Sequence, residues 1–423
     1  MSTNEQQNAG LDLLLQAHGL DPIGHFFISE SLRHIQDEEK LHNVEFVVFY
    51  GGGGSESHFK MWNPVFEQQK ERFISIFRSK DAWRPVRDNE NVIPIAALPQ
   101  IEIFFDRLPN LKAVFYPANN GTNCEVIRQN HLQHIFIGHG DSNKSASANK
   151  VFRLYDEVWV AGKAHIDRFS SVNIDVSGFE FKIIGQPWMK SALEKHQSNE
   201  NKSMYWCYLP TWKGNTPSQH YSSLGYFEEF YETAFRKLPV NFTGLIKPHP
   251  WTEHEVLSSV DDYLHKNDQS VIEKGADRIS LEAAPAPMSM LEADISISEA
   301  LANGPKFVVC DISAAVTECL LWDVPMFLFN PSLPSLPERE LNELYPGCYI
   351  FSNADELSRL LEDVILNDND TLSSAREEML AYTVDIEKTK NNAVFQELDR
   401  ISSSYPNQFN HDLTEPQSLA ARM

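Results

Sequence analysis

Short runs of β-branched and aromatic residues alternate along this chain with longer stretches whose apolar positions recur every three or four residues. That alternation predicts βα units and a parallel sheet. In the first half, strands are expected at 44–50, 92–97, 111–116, 134–137 and 157–160, with helices over 61–79, 100–108 and 164–170. In the second half, strands are expected at 203–209, 242–246, 307–310 and 326–329. Between the first two of these, Leu224, Phe227, Tyr231, Phe235 and Leu238 recur at helical spacing over 222–238, a stripe that belongs to a core rather than to a ligand. A strand-like run at 181–184 leads into Gln186-Pro187, a natural crossing between halves. Asn353 with Glu356 makes a capping-box pattern ahead of Leu357, Leu360, Leu361 and Val364. One long helical stretch is expected over 372–401, and the polar tail after Tyr405 reads as loose.

The order suits an α/β chain of two Rossmann-like halves closed by C-terminal helices. A length of 423 residues exceeds one ordinary core, so domains are expected over 1–186 and 187–405, with a loose tail over 406–423. The net charge of −23 argues against nucleic acid as a general partner, because nothing would neutralise phosphates over a broad surface. It equally disfavours the whole surface lying on an anionic membrane, while leaving room for a local peripheral contact. The five cysteines are scattered without a CxxC pair, which indicates buried thiols rather than a zinc site or disulfide framework. No basic segment precedes an apolar run at the N-terminus, and no run of about 18 apolar residues occurs, so a cytoplasmic location is expected. The only early apolar run, 11–16, is explained by burial against the first domain.

Four segments at strand ends carry the candidate chemistry, because ligands of open α/β sheets bind at that edge. In Gly138-His139-Gly140-Asp141, glycines allow close approach to an imidazole that titrates near neutrality and suits a general base; a capping turn is the plainer account. In Lys247-Pro248-His249-Pro250, prolines fix the backbone and present Lys247 and His249 together, which suits a phosphate-bearing ligand. Thr211 and Lys213 follow the strand over 203–209 and offer a hydroxyl and a cation, although an ordinary turn explains them too. After the strand over 307–310, Asp311, Ser313, Thr317 and Glu318 open a helix whose amides can bind phosphate, with Glu318 able to accept from ribose hydroxyls. Gly52 and Gly53 in a glycine-rich turn, and Asn119 after another strand, are weaker cleft-lining candidates alongside Gly140. The glycine run lacks the spacing of GxGxxG or of a P-loop. No HExxH motif appears and nothing in the four segments calls for a metal, and no cofactor is expected.

Taken in order, these four segments resemble the CDP-glycerol glycerophosphotransferase family of teichoic-acid and capsule polymer synthesis, over roughly residues 110–335. Tyr155-Asp156-Glu157-Val158, with Phe169 downstream, is similar to the family's segment after its first His-Gly motif. The resemblance implies a GT-B fold, with an acceptor domain over 1–186 facing a nucleotide-donor domain over 187–405 across a cleft. It also implies metal-independent transfer of a polyol phosphate from a CDP-activated donor to the hydroxyl of a glycan or lipid-linked acceptor, releasing CMP, with possible work at the inner membrane face. By position, His139 is then the base, His249 with Lys247 stabilises phosphate charge, Thr211 and Lys213 sit near the diphosphate, and Ser313 binds phosphate. The chain departs from the family at Ser313-Ala314, Thr317-Glu318, Lys213 and Asp141-Ser142. Those departures fall in the donor site and its rim. A nucleotide-sugar glycosyltransferase on the same fold is therefore the alternative, followed by a UDP-sugar 2-epimerase-like enzyme.

Overall fold

The computed structural model describes residues 38–95, 97–140, 148–198, 204–214, 220–274, 288–291, 295–302, 304–331 and 338–404. The apolar run 11–16, Asp141-Ser142 and the tail from Tyr405 lie outside the described residues. Strands β1 (Phe46–Tyr50), β2 (Phe73–Phe77), β3 (Val92–Pro94), β4 (Ala113–Tyr116), β5 (Gln133–Phe136), β6 (Glu157–Val160) and β7 (Phe181–Ile183) form one sheet, ordered β3-β2-β1-β4-β5-β6-β7. Strands β8 (Tyr205–Leu209), β9 (Thr243–Ile246), β10 (Met288–Met290), β11 (Val308–Asp311), β12 (Met326–Phe329) and β13 (Cys348–Phe351) form a second, ordered β10-β9-β8-β11-β12-β13. Every pairing is parallel. Each half thus repeats the 3-2-1-4-5-6 order of a doubly wound sheet, which reverses between β1 and β4 and again between β8 and β11.

β1 and β8 are buried on both faces and read as unbroken apolar runs, and β2 is interrupted only by the buried Ser75. Alternate residues still divide between two layers. Val47 and Phe49 pack with Ile74, Ile76 and Val114 on one face, while Phe46 and Val48 pack with Phe73, Phe77 and Phe115 on the other. In the second sheet, Trp206 and Tyr208 face the helix Phe227–Thr233, and Cys207 and Leu209 face the opposite layer.

Three expectations are corrected. The helix expected over 61–79 stops at Phe66, passes through a 3-10 turn and gives way to β2. The stripe over 222–238 is a short helix, Phe227–Thr233, between two 3-10 turns. The stretch over 372–401 is three helices, Ser373–Thr383, Ile386–Lys390 and Ala393–Ser404. The last break falls at Asn392, whose φ of 50° takes the chain out of helix. Four cysteines are buried, but Cys124 is exposed. Among the described residues, no helix is long and apolar enough to cross a membrane.

The last helix crosses back to the first sheet. Val394, Leu398 and Ile401 pack with Phe46, Val48 and Phe115. Arg400 Nη2 reaches the buried Glu157 at 2.6 Å, and Arg72 reaches Asp399 at 3.0 Å.

Candidate functional site

The carboxyl ends of the two sheets meet, and the candidate residues lie on the loops that leave them. In the first half, the turn Gly51–Gly54 follows β1, residues 117–122 follow β4, and Gly138-His139-Gly140 follows β5. In the second half, Thr211-Trp212-Lys213 follows β8, Lys247–Trp251 follows β9, and Ile312–Ala314 follows β11. Both sheets therefore bring their switch points to one place, where side chains from separate strands can act on one ligand.

His139 is exposed, yet protein surrounds it, as at the floor of a cleft. Its loop needs glycine: Gly138 has φ 67° and Gly140 has φ 118°. A Cβ on Gly140 would stand 3.0 Å from the Ala314 Cβ and 3.9 Å from Glu318 Oε1, so the loop of one half touches the helix Ala315–Cys319 region of the other. His139 Nδ1 lies 2.7 Å from the Pro117 carbonyl oxygen. A carbonyl only accepts, so Nδ1 carries the proton and Nε2 is the basic nitrogen. The protein packed around the ring disfavours its charged form and lowers the pKa of His139, partly offset by that carbonyl, which favours a neutral ring competent as a base.

His249 has the opposite arrangement. The Trp251 backbone N–H donates to its Nδ1 at 3.1 Å, which makes Nε2 the protonated nitrogen of the neutral ring. Trp212 stacks over it at 6.1 Å between centroids, and Trp251 closes on Trp212 edge-on at 5.0 Å. Trp251 also meets the glycine turn across the cleft: a Cβ on Gly54, where φ is 74°, would fall 2.5 Å from its Nε1.

Lys247 is buried and donates to the Pro248 carbonyl at 2.7 Å. It lies within electrostatic reach of Glu318, whose carboxyl is pushed up to about 8 by burial, a rise that Lys247 partly offsets. Thr211 is buried, with its backbone N–H on Asp311 Oδ2 at 2.7 Å. Asp311 also accepts from the Ser223 backbone at 3.0 Å, so this fully buried carboxylate ties two loops to the end of β11. Ser313 Oγ accepts from the Ala315 N–H at 3.2 Å at the helix start, and Thr317 is buried one turn on. Lys213 points outward into an ion pair with Glu253 at 2.5 Å, with both side chains about half exposed. Asn119 accepts from the Tyr155 hydroxyl at 2.7 Å and shapes the loop that supplies the Pro117 carbonyl. Gly52 packs on Asn120, whereas Gly53 has open space around it.

His58 carried no motif, but it stacks on His139 at 3.9 Å with 25° between ring planes. Burial first, then the charges of His139 and His249, holds it well below the usual histidine value. His58 thus packs directly on His139 and lies within electrostatic reach of His249. The sequence gives it no signal, because it sits within an ordinary amphipathic helix, Ser55–Phe66.

No family model matches the chain, and no curated protein matches it. Solved structures do. A histidine-to-asparagine variant of the wall teichoic acid polymerase TagF matches with a TM-score of 0.52 at 11% identity, covering 96% of this chain and 99% of that one. A protein of Listeria monocytogenes provisionally assigned as a UDP-N-acetylglucosamine 2-epimerase matches with a TM-score of 0.51 at 11% identity, covering 86% of this chain and 96% of that one. At such identity the likeness speaks of fold. The chain has the GT-B fold, two Rossmann-like halves facing a cleft.

Proposed function

We propose that this chain is a transferase that moves glycerol phosphate or ribitol phosphate from a CDP-activated donor to an acceptor hydroxyl in the synthesis of a cell-surface polymer. One observation carries the reading: loops of the two halves that touch one another present His139 and His249 with complementary tautomers, Nε2 basic on the first and Nε2–H on the second. Phosphoryl transfer to an alcohol requires positioning and charge neutralisation more than covalent chemistry. The acceptor O–H proton passes to His139 Nε2 as the new O–P bond forms at the phosphorus that bears the polyol. The bond from that phosphorus to the bridging oxygen breaks, and CMP departs with the electron pair. His249 Nε2–H and Lys247 stabilise the charge that gathers on the phosphates, and the amides beside Ser313 hold the diphosphate. Because TagF is a wall teichoic acid polymerase, the reading matches the activity class of one structural neighbour. The acceptor in this reading is a glycan or a lipid-linked chain, met at the inner membrane face.

The second reading, a nucleotide-sugar enzyme, draws on the Listeria neighbour and on the buried Glu318 as a ribose ligand. Incubation with CDP-glycerol, CDP-ribitol and a panel of UDP- and CMP-sugars separates the two. CMP release from a CDP-polyol is expected. UDP release from a sugar donor transfers the case to the second reading, and failure to bind or turn over any of them removes both. His139→Ala and His249→Ala are each expected to lower kcat by about 100-fold or more with melting temperature retained, the usual scale for removing an acid–base or charge-stabilising group. Near-full activity in either variant takes that histidine out of the mechanism.

A further inference from the structure

The helix Ser55–Phe66 grips the His139 loop at two points one turn apart. His58 lies face-on against the His139 ring at 3.9 Å. Four residues on, Trp62 Nε1–H donates at 2.6 Å to the Gly138 carbonyl oxygen, the last backbone acceptor before His139. Residues four apart share one face of a helix, so a single rigid element supplies both contacts. Trp62 is fully buried, stacked on Phe66 at 5.2 Å and edge-on to Trp188 at 5.0 Å, so the core fixes the indole that sets the loop. The helix begins at Gly54, whose left-handed φ of 74° turns the chain from β1 so that this face meets the cleft. The Pro117 carbonyl holds one edge of the His139 ring, and His58 covers its face.

We propose that His58 is a positioning residue for His139: its stacked ring, carried with Trp62 on one helix face, holds the His139 imidazole in the plane that keeps Nδ1 on Pro117 and Nε2 available to the acceptor hydroxyl. This inference rests on the proposed base role of His139. Two imidazolium rings at this separation repel strongly, so when His139 takes a proton His58 stays uncharged and the stack persists through the step. The role belongs to the ring face, not to a proton of His58. A phenyl ring therefore replaces it, and a small side chain does not.

The experiment compares full-length wild type with His58→Phe and His58→Ala. Circular dichroism and melting temperature serve as fold controls, and His58→Asn stands in should the alanine variant melt. Nitrogen-15 spectra of histidine-labelled protein, with His139→Ala providing the assignment, report the His139 tautomer without any turnover. Expected in wild type and His58→Phe is a single Nδ1–H tautomer; in His58→Ala, averaging between the two. With the CDP-polyol donor, kcat is expected to fall about 10- to 100-fold in His58→Ala at near-constant KM, the scale of a misplaced general base, and to recover to within about 3-fold in His58→Phe. A single tautomer with wild-type kcat in His58→Ala overturns the proposal, as does a loss in His58→Phe equal to that in His58→Ala. Absence of turnover by wild type defeats the proposed function, whereas the tautomer spectra still decide the role of His58.

Discussion

Glu318 and His139 lie near one another with protonation preferences that oppose. Burial pushes the Glu318 carboxyl up from 4.5 to about 8, and burial lowers the His139 imidazole from 6.5. For Glu318 the folded value lies above the unfolded one, so its contribution is complete below about pH 4.5 and is lost as pH rises through about 8. For His139 and His58 the sense reverses: stability is complete above about pH 6.5 and is lost as pH falls through their lowered folded values. The free site is thus most stable with a protonated acid beside neutral rings. Glu318→Gln, which cannot ionise, is expected to match wild type near pH 5 and to exceed it by about 2 to 4 kcal/mol at pH 8. Urea midpoints of the two proteins across that range check this, and parallel pH profiles refute it. At this scale the sequence disclosed what short spacing can disclose. His139 and His249 stand out because glycines and prolines flank them, yet His58 matters only through a contact with a residue 81 positions away. Asp311, expected at the donor, is seen holding the Thr211 and Ser223 backbones, a role that spacing cannot reveal.

Elements were legible where their period was distinctive. β6 and β12 have the bounds expected from their apolar runs, but β2 was hidden inside the helix expected over 61–79. Phe73–Phe77 is buried on both faces and so lacks the polar alternation that marks a half-exposed strand, and Phe66, Phe73 and Phe77 also fit a helical stripe. The glycine turn after β1 matches no phosphate-binding motif and in the sequence stands only as a weak cleft-lining candidate. Its contribution is instead a fixed corner, with Gly54 at φ 74° packed beneath Trp251 of the opposite half. Gly54→Ala is expected to cost about 1 to 2 kcal/mol, because the left-handed backbone and the Trp251 contact both penalise a Cβ. It is also expected to lower kcat, since the helix bearing His58 and Trp62 starts there. Gly53→Ala faces open space and should leave both unchanged. Thermal melts and turnover of this pair check the argument, and equal effects at the two glycines count against it.

At the scale of the molecule, the two sheets are joined twice, by the segment between β7 and β8 and by the C-terminal helices that run back. The Asp385 N–H donates to the Ala161 carbonyl at 2.9 Å, and the Gln186 N–H to Thr389 Oγ1 at 2.9 Å, so the returning chain is bonded to the first half before its last helix docks. That helix covers Phe46, Val48 and Phe115, the face of the central strands opposite to the layer formed by Val47 and Phe49. The cleft follows from this arrangement. β1 and β4 deliver the glycine turn and the Pro117 carbonyl, and residues 393–404, together with the helix Ser55–Phe66, cover their other buried layer. Leu398 is fully buried there, and Leu398→Ala is expected to cost about 2 to 5 kcal/mol from lost transfer energy and the cavity left behind. The loss should fall first on the first sheet. Hydrogen exchange is expected to show protection declining in β1, β2 and β4 while β8, β11 and β12 keep theirs, because the second sheet is closed by its own helices. A uniform loss across both sheets would mean that the halves unfold as one unit, and that the returning helix braces the whole cleft rather than the half that carries His139.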